Sequence, residues 1–181
     1  MLLEGKVAVI TGGTRGIGYE TVRQFLLNGA KVALLGSRTE TAEKAVEKLK
    51  AENKSFEVRG YAPKLSCEEE VKRTLEKICA DFGKIDVLIN NAGISSSTPL
   101  LKFSEEEYDK IADLNIKSVF VCSKAAVPYL KETKGVILNT SSMVSVYGQP
   151  SGFMYPASKF AVNGITKSLS RELAPLGIRV N

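Results

Sequence analysis

Tyr155 and Lys159 stand four residues apart in "YPASK", in a chain that contains no histidine. Proton transfer near neutral pH then falls to tyrosine, lysine, cysteine or a carboxyl group. A free tyrosine titrates at about 10, too high for efficient exchange near neutrality. A lysine at i+4 lies on the same helical face, and its charge favours tyrosinate. Lowering the tyrosine by ~3 units takes about 4 kcal/mol, within reach of two cations in a dry site. Upstream, "SS" at 141–142 offers hydroxyls, and Ser142 can donate a hydrogen bond to a carbonyl oxygen, as in a small oxyanion hole. Taken singly, each feature also has a plainer reading. Tyr-x-x-x-Lys pairs are common on helices, and paired serines or asparagines form turns at strand ends. Pro156 fits the first turn of a helix, where its missing N–H costs little.

The second chemical feature is "TGGTRGIG", Thr11 to Gly18, between an apolar run and a helical stretch. Gly12, Gly16 and Gly18 are spaced G-x-x-x-G-x-G, not G-x-G-x-x-G. Glycines in a strand–turn–helix setting let the backbone turn tightly and approach a pyrophosphate at the helix N-terminus. A glycine-rich turn without a ligand is the alternative, and the setting argues against it. At the end of the second strand, "LGSRTE" lacks the carboxylate that NAD-specific sites offer to the ribose. Ser37 and Arg38, with Arg15 in the loop, suit a 2'-phosphate instead. NADP(H) is therefore the preferred cofactor, with NAD(H) as the alternative.

These groups must be carried by regular elements. "KVAVIT", "KVALLG", "SFEVRGY", "IDVLIN", "GVILNTSS" and "IRV" read as six strands. Helices alternate with them. "YETVRQFLLN" ends at Gly29, a C-terminal cap. Ala42, Ala45, Val46 and Leu49 form one buried stripe, and Val71, Leu75, Ile78 and Phe82 form another. Ser66 with Glu69, and Ser104 with Glu107, have capping-box form. The second box opens a long helix to about Leu130, which Pro128 should kink or shorten near its end. A further helix runs from about Tyr155 to Leu173. This alternation predicts an α/β fold: a Rossmann-like doubly wound parallel sheet with helices on both faces, as one domain over residues 1–181. Such sheets bind ligands beyond the C-terminal ends of their strands, where the glycine loop, Asn90–Asn91 and Ser141–Ser142 all fall.

Composition narrows the function classes. Of 181 residues, 44% are hydrophobic and 25% charged, as expected of a soluble globular protein, and no apolar run approaches a membrane span. The N-terminus lacks the basic region and cleavage site of a signal peptide, so a cytoplasmic location is expected. The net charge of +5 is spread among acidic residues rather than clustered, which argues against nucleic-acid binding. Cys67, Cys79 and Cys122 are widely spaced and read as structural thiols, with no metal site.

With these residues in view, the chain resembles the short-chain dehydrogenase/reductase family from Val7 to Asn181. The resemblance rests on an ordered set: "TGGTRGIG", "NNAG" at Asn90–Gly93, "LN" ending at Asn115, Ser141–Ser142, "YPASK" and "IRVN". It implies that Gly12, Gly16 and Gly18 line the cofactor phosphates, with Thr14, Arg15 and Ile17 beside them. It implies that Asn91, Ala92 and Gly93 pack toward the adenosine. Ser142, thirteen residues before Tyr155, would orient the substrate carbonyl. Tyr155 would be the acid/base, and Lys159 would bind the nicotinamide ribose and tune Tyr155. Asn115 would hold a water linking Lys159 to solvent. Where the family often has an aspartate against the adenine, this chain has Lys64, leaving the backbone at Leu65 to serve. Family chains also continue past "IRVN" into a substrate loop and a C-terminal strand, both absent from this sequence.

Within the family, the resemblance is to bacterial 3-oxoacyl carrier-protein reductases and to gut-bacterial hydroxysteroid dehydrogenases. The expected activity is hydride transfer between NADP(H) and a ketone or secondary alcohol. A 3-oxoacyl thioester is the first substrate reading and a hydroxysteroid the alternative. A non-catalytic dinucleotide sensor or scaffold is the alternative from another class. The resemblance also implies a homo-oligomer, dimer or tetramer, built on the helices before Leu130 and after Tyr155. Phe120, Val127 and Leu169 are the apolar candidates for that surface.

Overall fold

Apolar runs of four or five residues become strands because both of their faces are covered. All five residues of β1 (Val7–Thr11) are buried. A computed structural model describes residues Met1–Asn181. After β1 come α1 (Gly16–Leu27), β2 (Lys31–Leu35), α2 (Thr39–Glu52), β3 (Val58–Tyr61), α3 (Glu68–Phe82) and β4 (Val87–Asn90). Then follow α4 (Glu105–Ala112), α5 (Ser118–Thr133), β5 (Val136–Asn139), α6 (Val144–Tyr147), α7 (Met154–Glu172) and β6 (Arg179–Val180).

The strands form one parallel sheet in the order β3-β2-β1-β4-β5-β6. This is the doubly wound order, and its switch point lies between β1 and β4. Alternation along each strand feeds two cores. Val9, Leu35, Leu88 and Ile137 face α3 and α5 with Leu75, Ile78 and Leu130. Ala8, Ile10, Leu34 and Ile89 face α1 and α2 with Val22, Leu26 and Leu49. Each fully buried leucine or isoleucine contributes roughly 1.5–3 kcal/mol. Cys67, Cys79 and Cys122 are all free, and burial pushes the Cys122 thiol up to about 12.

Several expected boundaries move. α1 begins at Gly16, within the glycine loop, and Gly29 closes it at φ +86. Ser66 is not a cap, because α3 starts at Glu68 after Cys67, whose side chain caps nothing. The Glu70 carboxylate instead closes the preceding turn, accepting from the Lys64 N–H at 2.8 Å. Ser104 does cap α4, accepting from the Glu107 N–H at 3.1 Å. The Glu107 carboxylate does not return to complete the box; it accepts from the Ser96 and Thr98 hydroxyls at 2.5 and 2.9 Å. The long helix is interrupted by a π-turn at Asp113–Lys117. Pro128 does not shorten α5, which runs on to Thr133 and ends at Lys134 in the left-handed region. Val127 and Leu169 are half-buried against the core on the α3/α5 face, so of the three surface candidates only Phe120 is exposed.

Candidate active site

The glycine loop and "NNAG" meet at the switch point. Thr11 Oγ1 accepts from the Asn91 and Ala92 N–H groups, both at 3.0 Å, and donates to the Ile89 carbonyl at 3.3 Å. Asn91 Nδ2 donates to the carbonyls of Thr11 and Gly12 at 3.1 and 3.4 Å. A Cβ at Gly12 would lie 2.9 Å from Ala92 Cα, and one at Gly18 would lie 2.2 Å from the Gly12 carbonyl oxygen. These two glycines are required by close packing. Gly16 differs: its φ is +55 and a Cβ there would meet nothing within 4 Å. It borders open space at the start of α1, whose cap residue Arg15 makes no side-chain cap bond and whose first turn holds no acid. A helix N-terminus of this kind leaves N–H groups without intrahelical partners, the chemistry that anions favour. Ile17 is exposed on the same turn.

At the end of β2, Ser37 and Arg38 are exposed, as is Arg15. Neither arginine has an acidic partner, whereas Arg23 pairs with Glu20 and Glu52 and Arg59 with Asp81. Thr14 packs its methyl toward Gly36, where a Cβ would come within 2.7 Å of it. Leu65 is buried beyond β3.

Helix α7 carries Tyr155 and Lys159 on successive turns. Lys159 is only 5% exposed, and burial pushes its ammonium below the ordinary lysine range. Its Nζ donates to the Thr140 carbonyl at 2.6 Å and lies 5.9 Å from the Tyr155 ring centroid. An ammonium has three donors, and the protein accepts one of them. Gly93 leaves room here: a Cβ would stand 3.2 Å from Asn115 Oδ1 and 3.7 Å from Lys159 Nζ.

Asn115 lies inside the π-turn and is buried. Its Nδ2 donates to the Ile94 carbonyl and to Ser158 Oγ, both at 2.9 Å, and its Oδ1 accepts from the Ile94 N–H at 2.9 Å. Both amide protons are committed, so the side chain braces the loop after β4 against α7. π-turns of this kind recur at functional sites.

The two serines are separated by their bonds. Ser141 Oγ turns toward α7, 3.1 Å from Ser145 Oγ and 3.4 Å from the Lys159 carbonyl. Ser142 Oγ accepts from the Val144 N–H at a long 3.4 Å, and its own proton has no acceptor in the protein. The free donor is thus Ser142. Beside it Met143 and Tyr147 are exposed, and Phe153 packs its ring 5.0 Å from Phe103.

Residue typing from sequence missed three participants. Thr11 ties the two loops together, the Thr140 carbonyl holds Lys159, and Ser158 anchors Asn115 while donating to the Tyr155 carbonyl at 2.7 Å. Thr11 and Ser158 carried a sequence signal, from their places inside "TGGTRGIG" and "YPASK". No group of three His, Cys, Asp or Glu side chains converges as a metal site would, and no helix is long and apolar enough to cross a membrane.

A sequence profile described as short chain dehydrogenase matches residues 6–181. A 3alpha-hydroxysteroid dehydrogenase of Mediterraneibacter gnavus is 54% identical, over 100% of this chain and 73% of that protein. A 3-oxoacyl-acyl-carrier-protein reductase of Thermotoga maritima is 40% identical, with the same coverage of 100% and 73%. Among solved structures, an NAD+-bound xylitol dehydrogenase superposes with a TM-score of 0.94 at 33% identity, over 100% of this chain and 70% of that one.

Proposed function

Because the chain belongs to the short-chain dehydrogenases, oxidoreductases that bind NAD(P) and act on CH–OH groups, we propose that it interconverts a ketone and a secondary alcohol with NADP(H) preferred. The observation that carries this reading is Lys159. It is a buried ammonium beside Tyr155 with one protein acceptor and donors to spare. Those donors suit the hydroxyls of a nicotinamide ribose, and the ammonium lies one helical turn from Tyr155. When bound, the nicotinamide supplies or accepts the hydride. Tyr155 Oη holds the proton exchanged with the carbonyl oxygen, and Ser142 Oγ–H donates a hydrogen bond to that same oxygen. The N–H groups around Gly16 hold the pyrophosphate, and Leu65 lines the adenine side. Arg15, Ser37 and Arg38, without acidic partners, suit a 2'-phosphate.

For the substrate, we read a hydroxysteroid first and a 3-oxoacyl thioester second. This reverses the order expected from sequence, on two grounds. The steroid-named relative is 54% identical against 40% for the reductase. Exposed Met143 and Tyr147 beside Ser142 also suit a rigid apolar ligand. We read residues 1–181 as one catalytic unit, cytoplasmic, assembling as a dimer or tetramer through the face bearing Phe120.

The test is a panel of oxosteroids, 3-oxoacyl thioesters and sugars with NADPH and with NADH, following reduced-cofactor absorbance. Oxosteroid turnover with NADPH is expected. Tyr155→Phe should abolish it while leaving NADPH affinity nearly intact. Wild-type turnover in that variant defeats the tyrosine mechanism, and an NADH preference of about tenfold, ~1.4 kcal/mol, defeats the phosphate role of Arg38.

A further inference from the structure

We propose that Ser145 and Asn163 are positioning residues that set the Ser142 hydroxyl against the face of α7 bearing Tyr155 and Lys159. The proposal rests on the reading of Ser142 as the hydrogen-bond donor to substrate. Tyr155, Lys159 and Asn163 follow one another at four-residue intervals, so they share one face of α7. Asn163 Nδ2 reaches from that face to Ser145 Oγ at 2.9 Å. Ser145 Oγ in turn donates to the Ser142 carbonyl at 2.5 Å, and the Ser145 N–H donates to the same carbonyl at 3.0 Å.

Ser145 is 3% exposed, and its hydroxyl is fully used. A serine hydroxyl has one proton and two acceptor sites. The proton goes to the Ser142 carbonyl, and the acceptor sites face Asn163 Nδ2 and Ser141 Oγ. In this arrangement Asn163 Nδ2 donates at this contact, and the Ser145 proton goes to the Ser142 carbonyl. The result is a chain of bonds from the helix that carries the acid/base to the backbone of Ser142. It leaves the Ser142 side chain as the one hydroxyl of Ser141, Ser142 and Ser145 that is not consumed within the protein. Loss of this strut frees Ser142 and α6 to drift, while Thr140, which holds Lys159, stays tied by its N–H to the Asn90 carbonyl at 2.9 Å.

The experiment measures kcat, KM and cofactor Kd for Asn163→Ala, Ser145→Ala, Ser142→Ala and the doubles Asn163→Ala/Ser142→Ala and Ser145→Ala/Ser142→Ala. Folding at the assay temperature is checked by circular dichroism melting. Asn163→Ala, at the less buried end of the strut, gives the test if Ser145→Ala fails to fold. Each single strut variant should lower kcat roughly five- to tenfold, the loss of about one hydrogen bond, with cofactor Kd unchanged. In the Ser142→Ala background the same substitution should cost less than about twofold, since the group it positions is gone. A general structural defect would instead multiply with Ser142→Ala. Undiminished loss in that background, or wild-type kcat in Asn163→Ala, overturns the strut alone. Wild-type kcat in Ser142→Ala overturns the serine-donor reading, and the strut with it.

Discussion

Substituting Gly16 and Gly18 by alanine separates packing from ligand binding within one loop. A Cβ at Gly18 would stand 2.2 Å from the Gly12 oxygen and 2.5 Å from Asn91 Nδ2, well inside the 3.0 Å that real Cβ atoms keep. Both neighbours are held, one as backbone and the other by its bonds to Thr11 and Gly12. Relieving the clash requires a shift of roughly 0.8 Å, an overpacking cost of about 2–3 kcal/mol. For a chain of this size that lowers Tm by ~4–12 °C. At Gly16 the space is open, and the cost comes from φ +55. The left-handed conformation costs an alanine about 1–2 kcal/mol, partly offset by ~0.4–1 kcal/mol from a less flexible unfolded chain. The net cost of about 0–1.6 kcal/mol lowers Tm by only about 0–6 °C. The new methyl, however, projects into the open space beside the proposed pyrophosphate site. Losing one charge-assisted hydrogen bond there weakens NADPH by roughly 10- to 100-fold. Melting curves and NADPH fluorescence titrations read the two effects separately. A wild-type Kd in Gly16→Ala would refute the anion site, and a wild-type Tm in Gly18→Ala would refute the packing argument.

Arg38→Ala should weaken NADPH by about 10-fold or more while leaving NADH nearly unchanged, as loss of a charge-assisted bond requires; equal losses for both cofactors would argue against a 2'-phosphate contact. Asp86 is buried beside β1, which raises its carboxyl pKa, but the Val7 N–H, Lys84 and Lys6 outweigh burial and hold it below 3.8. Its stabilisation is present above that ordinary value and lost as pH falls through the lowered one. Asp86→Ala should cost about 1–3 kcal/mol by orphaning the Val7 N–H and flatten the acid limb of stability against pH; an unchanged acid limb contradicts this. Lys159 has the opposite sign. Burial lowers its pKa below 10.5, so its cost to folding is full below the lowered value and is relieved as pH rises toward 10.5. Stability of the wild type minus that of Lys159→Met, from urea unfolding, should therefore rise through that window, and a flat difference would show that Lys159 is solvated.

The alternation of strands and helices, the glycine turn and the "YPASK" helix were legible in the amino-acid sequence, because those signals are local. An apolar run such as Val7–Ile10 needs no partner to declare itself, and Gly12, Gly16 and Gly18 are legible by type and spacing. The resemblance carried the choice of Ser142 over Ser141. Tertiary structure alone distinguishes their bonds: Ser141 Oγ has partners in Ser145 Oγ and the Lys159 carbonyl, whereas the Ser142 proton has no acceptor in the protein. It also decided that Asn115 sits in a π-turn with its amide committed to Ile94 and Ser158, neighbours 21 and 43 residues away. The acceptor that holds Lys159 is the backbone of Thr140, and every residue carries a carbonyl, so nothing in its side chain announces the role. Ser66 was passed over as a cap and Ser104 used, although both head the same pattern. Local propensity offers a cap wherever the residue type allows, and the helix start is chosen by how the chain packs around it.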